Sequence, residues 1–328
     1  MSLQSPNITV RVVAIEQASP LIKRFTLQAA DGGQLPAFSG GSHIIVQIPA
    51  ASGLLHNAYS LLSSPFQLQQ YQIAVRREDA SRGGSAFMHA HVAEGDILQI
   101  SPPNNLFPLH ATSGRQLLIA GGIGITPFMA QMEELQSSDA AFELHYAFRS
   151  REQAAFVDEQ AAFVDELAAR YGAHCHFYDA AQGELCNVAG LLQHMAEPDH
   201  VYVCGPQSLI QAVQQAGAEQ GIPSARLHWE QFAASTSGGV AFTVVLARSG
   251  REIPVAAEQT ILQAIEMDGA VAVDCLCREG VCGTCEVGIV EGEAEHRDQY
   301  LSEEEKQAQN SLLICVSRAR GSRLVLDL

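Results

Sequence analysis

Nine residues late in the chain, Cys277-Arg-Glu-Gly-Val-Cys282-Gly-Thr-Cys285, limit what the chain can be more than any other stretch. With Cys315 farther on, the spacing is C-x4-C-x2-C…C, the plant-type pattern for a [2Fe–2S] cluster. Two irons need four thiolates, two on each. A loop that supplies three of them must wrap the cluster closely. Gly280 and Gly283 allow that approach and tolerate positive φ. The loop amides can then hydrogen-bond the sulfurs and tune the potential. A zinc site or reactive free thiols are the alternatives, although structural zinc usually joins one C-x2-C to a second such pair. Cys275 breaks the spacing and reads as a bystander. Cys175 and Cys186 read as ordinary small thiols.

At roughly 100–200 residues per domain, the 328 residues are expected to form two or three domains. An apolar fraction of 47% supplies packed cores and argues against long-range disorder. The net charge of −17 repels phosphate and argues against a nucleic-acid partner. No run has the roughly 18–20 apolar residues that span a bilayer, and MSLQSPNITV lacks the basic and apolar regions of a secretory signal. These features predict a cytoplasmic chain with no membrane partner, where eight cysteines are poor disulfide candidates. Residues 241–328 hold 15 Asp and Glu against 8 Lys and Arg. That excess is either a solvated face or a docking surface for an electron acceptor.

Up to about residue 110 the pattern is of short strands (8–17, 21–29, 43–48, 71–77, 96–100) punctuated by Gly and Pro. It predicts a small antiparallel barrel. From about 115 strands alternate with helices, which predicts a parallel sheet with crossover helices. The tandem QAAFVDE at 153–159 and 160–166 is expected to lengthen one helix within 152–170. Residues 233–240, AASTSGGV, have a linker composition. Beyond them a hairpin over 242–255, a helix over 260–269 N-capped by Thr260, and a closing strand over 323–328 frame the Cys-rich loop.

Two glycine turns in the middle region invite a nucleotide. Gly121-Gly122-Ile123-Gly124-Ile125-Thr126-Pro127 leaves an apolar strand and opens a helix, and Cys204-Gly205-Pro206 does the same. Such turns let a pyrophosphate approach backbone amides at a helix N-terminus. Ligands bind at the carboxyl ends of parallel strands, so both turns can face one crevice, with Arg149 beside it. The first turn is not G-x-G-x-x-G, and a plain strand-to-helix turn is the alternative. In the first region Asn57-Ala58-Tyr59-Ser60 ends near a strand, and Arg82-Gly83-Gly84-Ser85 opens a helix. The second is an anion-site candidate, and Tyr59 can lie against an aromatic ring. Ordinary turns would look the same.

The order Tyr-Ser barrel, G-G-I-G-I-T-P and C-G-P domain, then plant-type ferredoxin resembles the phthalate dioxygenase reductase family over essentially the whole chain. The resemblance implies a multidomain architecture. Its parts are an antiparallel β-barrel flavin domain (1–110), an α/β Rossmann-like NAD domain (111–232), a linker (233–240) and an α+β plant-type ferredoxin domain of β-grasp type (241–328). It implies an NADH-dependent flavin/iron–sulfur oxidoreductase that passes electrons from NADH to FMN to [2Fe–2S] and on to a Rieske-type oxygenase. Cys275–Glu286, His296–Tyr300 and Arg323–Leu328 are most similar to the branch of the family that serves carnitine oxygenation. A vanillate- or phthalate-type partner is the alternative, and a non-enzymatic redox sensor is the reading from another class.

Residue by residue, the resemblance assigns Asn57, Ala58, Tyr59, Ser60, Ala74, Val75, Arg76, Arg82, Gly83, Gly84 and Ser85 to FMN. Gly122, Gly124, Thr126, Arg149, Cys204, Gly205 and Pro206 are assigned to the nucleotide. Thr126, Cys204, Glu230 and Phe232 would flank the reacting rings, and Cys277, Cys282, Cys285 and Cys315 would hold the irons. Many members carry Arg where this chain has Asn57, so phosphate binding would rest more on Arg76, Arg82 and the Gly-Gly-Ser amides.

Overall fold

Strict alternation of buried and exposed side chains builds the first sheet: Val10, Val12, Phe25 and Leu27 turn inward while their neighbours face out. The computed structural model describes residues 7–50, 53–78, 82–149, 163–232, 238–269 and 271–328. It divides into two compact units, 1–231 and 232–328.

The first unit opens with β1 (Ile8–Ser19), β2 (Ile22–Ala29), β3 (Ser42–Ala50), β4 (Gly53–Ser60) and β5 (Tyr71–Arg76). Helix α1 (Gly84–His91), β6 (Ile97–Ile100) and the short β7 (Asn104–Asn105) follow. The strands pair antiparallel in the order β4-β3-β6-β1-β2-β5, with β7 on β3. A bridge between Leu61 and Ile73 joins the two ends into the predicted barrel.

Next come β8 (Gln116–Gly121), α2 (Thr126–Ser137), β9 (Phe142–Phe148), α3 (Val164–Tyr171), β10 (Cys175–Asp179) and α4 (Val188–Leu192). The unit ends with β11 (His200–Cys204), α5 (Gln207–Glu219) and β12 (Leu227–Glu230). These five strands are parallel, in the order β10-β9-β8-β11-β12. The chain builds outward from β8 to β10, then returns to β8's other side with β11. The topological switch therefore lies between β8 and β11, the position where such sheets take ligands. Most of the tandem QAAFVDE (153–162) lies outside the described residues; its last part enters α3.

The change of architecture near residue 110 is not a break in packing. One core joins Ile22, Leu62 and Ala74 of the barrel to Phe128, Met132 and Tyr146. The turn at Gly40 and Gly41 lies against α2. Gln131 Nε2 donates to Phe107 O at 2.7 Å, and Glu134 Oε1 accepts from Gly40 N at 2.9 Å. A Cβ on Gly41 would come within 2.1 Å of Phe107 O.

The second unit contains β13 (Phe242–Leu246), β14 (Arg251–Val255), α6 (Ile261–Asp268), β15 (Glu286–Glu291) and β16 (Ala294–Glu295). It continues with α7 (Glu303–Ala308), β17 (Ser311–Leu313), β18 (Arg318–Ala319) and β19 (Arg323–Leu326). The sheet order is β14-β13-β19-β15-β17, and β13 runs parallel to β19. Helix α6 buries Ile261, Leu262 and Ile265 in the core of this unit. Thr260 caps it as predicted: its Oγ1 accepts from Gln263 N at 3.1 Å, and Gln263 Oε1 accepts from Thr260 N at 3.0 Å. The stretch 312–319 is split; β17 ends at Leu313 and a turn carries Cys315 before β18. Of the linker, 233–237 lie outside the described residues. Among the described residues, no helix is long and apolar enough to cross a membrane.

Candidate functional site

The Cys-rich loop needs two left-handed glycines, and both are present where backbone must pass close to something bulky. Gly280 (φ 74°) faces Val316 and Asp298; a Cβ would lie 2.8 Å from Val316 Cγ2. Gly283 (φ 74°) sits under the Tyr300 ring, where a Cβ would lie 2.3 Å from Cζ. Segment 296–300 thus underlies the loop, and Gln299 N donates to Gly280 O at 3.1 Å. Cys277 is brought beside Cys282, and Cys285 beside Cys315. Amides point at the sulfurs, among them Glu279 N, 3.3 Å from Cys277 Sγ. Cys277, Cys285 and Cys315 are buried. Two thiol pairs, inward amides and a cradle too tight for any side chain at 280 or 283 fit a two-iron cluster, and they fit a single tetrahedral ion less well. The structure also brings Cys275 against Cys285 and Cys315. Linear spacing placed it apart, but the loop folds it back.

In the parallel sheet the two glycine turns meet. Gly124 lies so close to the end of β11 that a Cβ would fall 2.3 Å from Cys204 O and 2.5 Å from Cys204 C. A Cβ on Gly205 would be 2.9 Å from Gly121 Cα. The turns therefore cross backbone against backbone at the switch point, as the shared crevice requires. Gly122 has φ 59°, and Pro127 stands in the first turn of α2. Thr126 is buried, and its Oγ1 donates to Ile123 O at 3.0 Å. Arg149 follows β9 at the same edge and is exposed.

Beside this crossing, Cys204 Sγ lies 3.9 Å from Glu230 Oε2, both side chains buried. Burial pushes the Glu230 carboxyl up to about 8 and the Cys204 thiol well above its ordinary range. At neutral pH the pair is uncharged. Phe232 opens the second unit and is 37% exposed.

Glu230 gives a measurable pH signature. An unfolded glutamate titrates near ~4.3, and the folded one near about 8. Below the lower value both states are protonated and the full stability is present. As pH rises through the window the unfolded state ionises alone, so stability is lost until the folded group titrates too. Each pH unit of the window costs about 1.4 kcal/mol at most. Glu230→Gln should therefore melt progressively higher relative to the parent from pH 5 to pH 9. Parallel melting temperatures across that range, followed by far-UV circular dichroism, would show that Glu230 ionises normally.

The barrel side is assembled by β4, β5 and α1. Asn57 Nδ2 lies 3.4 Å from Tyr59 Oη, and Arg82 Nη2 donates to Asn57 Oδ1 at 3.4 Å. A Cβ on Gly84 would lie 2.7 Å from Asn57 Nδ2. Gly83 (φ 97°) caps α1, whose first turn holds the buried Ser85; its Oγ accepts from Glu78 N at 3.0 Å. Asn57, Tyr59, Arg82, Gly83, Gly84 and Ser85 thus converge, with Ala58 and the buried Ser60 completing the end of β4. Ala74, Val75 and Arg76 close β5, and Arg76 is ion-paired with Glu78. Arg82 Nη2 also approaches His56 O at 3.5 Å, so Arg76 and Arg82 are both engaged at this end of the barrel.

The comparisons with known proteins agree with this geometry. Residues 118–215 match the oxidoreductase NAD-binding domain, and 244–320 match the 2Fe-2S iron-sulfur cluster binding domain. The solved structure described as phthalate dioxygenase reductase, a modular structure for electron transfer from pyridine nucleotides to [2Fe-2S], superposes with a TM-score of 0.71 at 31% identity, covering 98% of both chains. The chain belongs to the phthalate dioxygenase reductase family. Within it, the carnitine monooxygenase reductase subunit of Escherichia coli strain K12 is 53% identical over 97% of this chain and 98% of its own. The heme-dependent oxidative N-demethylase beta subunit of Ectopseudomonas mendocina is 46% identical over 99% of this chain and 100% of its own. As a member of the phthalate dioxygenase reductase family, the chain is an oxidoreductase with a nucleotide-binding and an iron–sulfur domain.

Sequence reasoning did not find the segment beneath the cluster loop as a support, because Asp298 and Tyr300 act by filling space around glycines, a role with no linear signature. Nor did it find Gln131 and Glu134, whose work is to seat the barrel turn on α2.

Proposed function

We propose that the chain is the reductase component of a Rieske-type oxygenase system. It draws electron pairs from NADH, passes them through FMN and a [2Fe–2S] cluster, and delivers them to an oxygenase that converts carnitine to trimethylamine and malic semialdehyde. The observation that carries this is the coexistence, in one chain, of the crossed glycine turns at the β8/β11 switch and the paired thiols of the cluster loop. The full-length similarity to the carnitine monooxygenase reductase subunit of E. coli supports the substrate.

The bound flavin supplies the exchange between a two-electron donor and a one-electron acceptor. The chain's own residues bind, orient and exclude water. Gly122 and Gly124 let the dinucleotide reach the amides of α2, Arg149 guards the open edge, and Cys204-Gly205-Pro206 forms the opposing wall. Thr126, Cys204 and Glu230 line the place where the rings meet, and the uncharged Cys204–Glu230 pair keeps that place free of net charge. The family resemblance assigns Phe232 to the same place. Asn57–Ser60, Ala74–Arg76 and Arg82–Ser85 would hold FMN, with the phosphate over the Gly83-Gly84-Ser85 amides. Cys277 and Cys282 would ligate one iron, and Cys285 and Cys315 the other.

The test is stopped-flow absorbance of the holoprotein mixed with NADH and then NADPH, followed by addition of a carnitine-specific Rieske oxygenase. The expected result is flavin bleaching with NADH, then cluster bleaching, then trimethylamine release. Bleaching without trimethylamine would reassign the chain to another oxygenase partner, such as a demethylase or ring dioxygenase. No bleaching with either nucleotide would sink the reductase reading and favour a redox sensor.

A further inference from the structure

The opposite end of the parallel sheet from the nucleotide crevice carries a second group of donor atoms. Glu143 and His145 alternate on β9, so both face the same side. His176 stands directly across from His145 on the parallel edge strand β10. His176 Nε2 is 2.8 Å from Glu143 Oε1, and His145 Nε2 is 3.3 Å from the same oxygen. All three donors lie within 4.8 Å of one another. Donors set ~2.1 Å from a tetrahedral zinc ion are about 3.4 Å apart.

His145 is 3% exposed, and its Nε2 makes no hydrogen bond despite its closeness to the carboxylate. Its Nδ1 lies 2.7 Å from the Tyr178 hydroxyl. The tautomer that donates Nδ1–H to the Tyr178 hydroxyl leaves the Nε2 lone pair able to ligate a metal ion. An imidazole fixed through its outer nitrogen is also the usual support for a metal-bound histidine. Arg115 Nη1 binds the other carboxylate oxygen at 2.6 Å, which leaves Oε1 for the ion. His176, 46% exposed, opens the group to solvent and leaves room for a water ligand.

We infer that Glu143, His145 and His176 form a binding site for a divalent transition-metal ion of the zinc type, clasping edge strand β10 to β9. Two imidazoles and one carboxylate suit zinc rather than calcium or magnesium, which favour all-oxygen shells. A second group, His110, His200 and His228, also lies close together. There His200 Nδ1 is 2.8 Å from His228 Nε2, and His110 is engaged by Tyr202. No carboxylate joins this second group, so it serves as the control.

The full-length holoprotein, titrated with zinc against a chromogenic indicator, should bind one ion per chain more tightly than its remaining background, and zinc should raise its melting temperature. His176→Ala should weaken that binding at least ~10-fold and abolish the melting shift, with iron content and flavin absorbance unchanged. Glu143→Gln should do the same, and His110→Ala should change neither. Equal zinc binding in the parent and His176→Ala would place the ion elsewhere in the chain and overturn the assignment. Loss in His110→Ala alone would move the ion to the three-histidine group and overturn the assignment equally. Absence of any zinc binding by the parent would end it outright.

Discussion

Replacing Cys282 by Ser is expected to remove the visible absorbance and iron of the cluster and to cut NADH-driven cytochrome c reduction by at least ~100-fold, because a serine hydroxyl does not replace the thiolate that an iron requires. NADH-driven ferricyanide reduction, which needs only the flavin, should stay within about twofold of the parent, because the proposed order places the cluster cysteines downstream of the flavin. The separation follows from the architecture. Cys282 belongs to a unit with its own core of Phe242, Val244, Ile261, Leu312 and Leu324. Every described residue of the glycine crossing and the Asn57–Ser60, Arg82–Ser85 cradle belongs to the other unit. Cys282 is also only part-buried, so the change leaves no large cavity. Loss of flavin bleaching by NADH in a correctly folded variant would mean that the cluster precedes the flavin, and the proposed order of transfer would be wrong.

Gly124→Ala is the second large effect. The new methyl would lie 2.3 Å from Cys204 O and 2.7 Å from Gly205 N. These are backbone atoms at the end of a buried strand, so no side chain can swing aside. The two turns must separate, which costs about 3 kcal/mol, or roughly 6–12 °C in melting temperature for a unit of this size. Nucleotide affinity should fall at least ~100-fold, since the wall supplied by Cys204-Gly205-Pro206 moves away. Gly121→Ala is the instructive comparison. Its methyl meets Leu209 Cδ2 at 2.9 Å, which can rotate away, and Pro206 Cδ at 2.7 Å, which the ring holds on the backbone nitrogen. A smaller loss is expected there. Calorimetry with NADH binding on both variants decides the matter; parent-like behaviour of Gly124→Ala would mean that the crossing is looser than its geometry indicates.

What the sequence made legible was whatever depends on local pattern. The alternation in 8–29 marked the barrel strands, and the apolar run at 116–121 located β8 to the residue. The thiol spacing marked the cluster loop because three donors must come from one short stretch. Less legible were features that arise from distant packing. Strand β12 is too short and mixed to stand out, yet it delivers Glu230 next to Cys204. Helix α7, six residues with three glutamates at its start, reads as a charged loop until Ser302 is seen capping it. The shared core across residue 110 was invisible for the same reason: Ile22 and Phe128 meet only after both sheets exist. Cys275 illustrates the limit of spacing arguments, since a loop can return a residue to partners that counting sets apart.

The parallel pairing of β13 with β19 carries a consequence for how the iron–sulfur unit is made. Thr243 sits opposite Arg323 and Leu246 opposite Leu326. The strand that begins the unit therefore waits for about eighty residues of synthesis before its central neighbour exists. All four thiols of the quartet emerge from the ribosome before that strand does. The sheet beside them is complete only when residues 323–326 take their place between β13 and β15. A chain lacking residues 323–326 would therefore carry all four thiols without the central strand of the sheet that frames them.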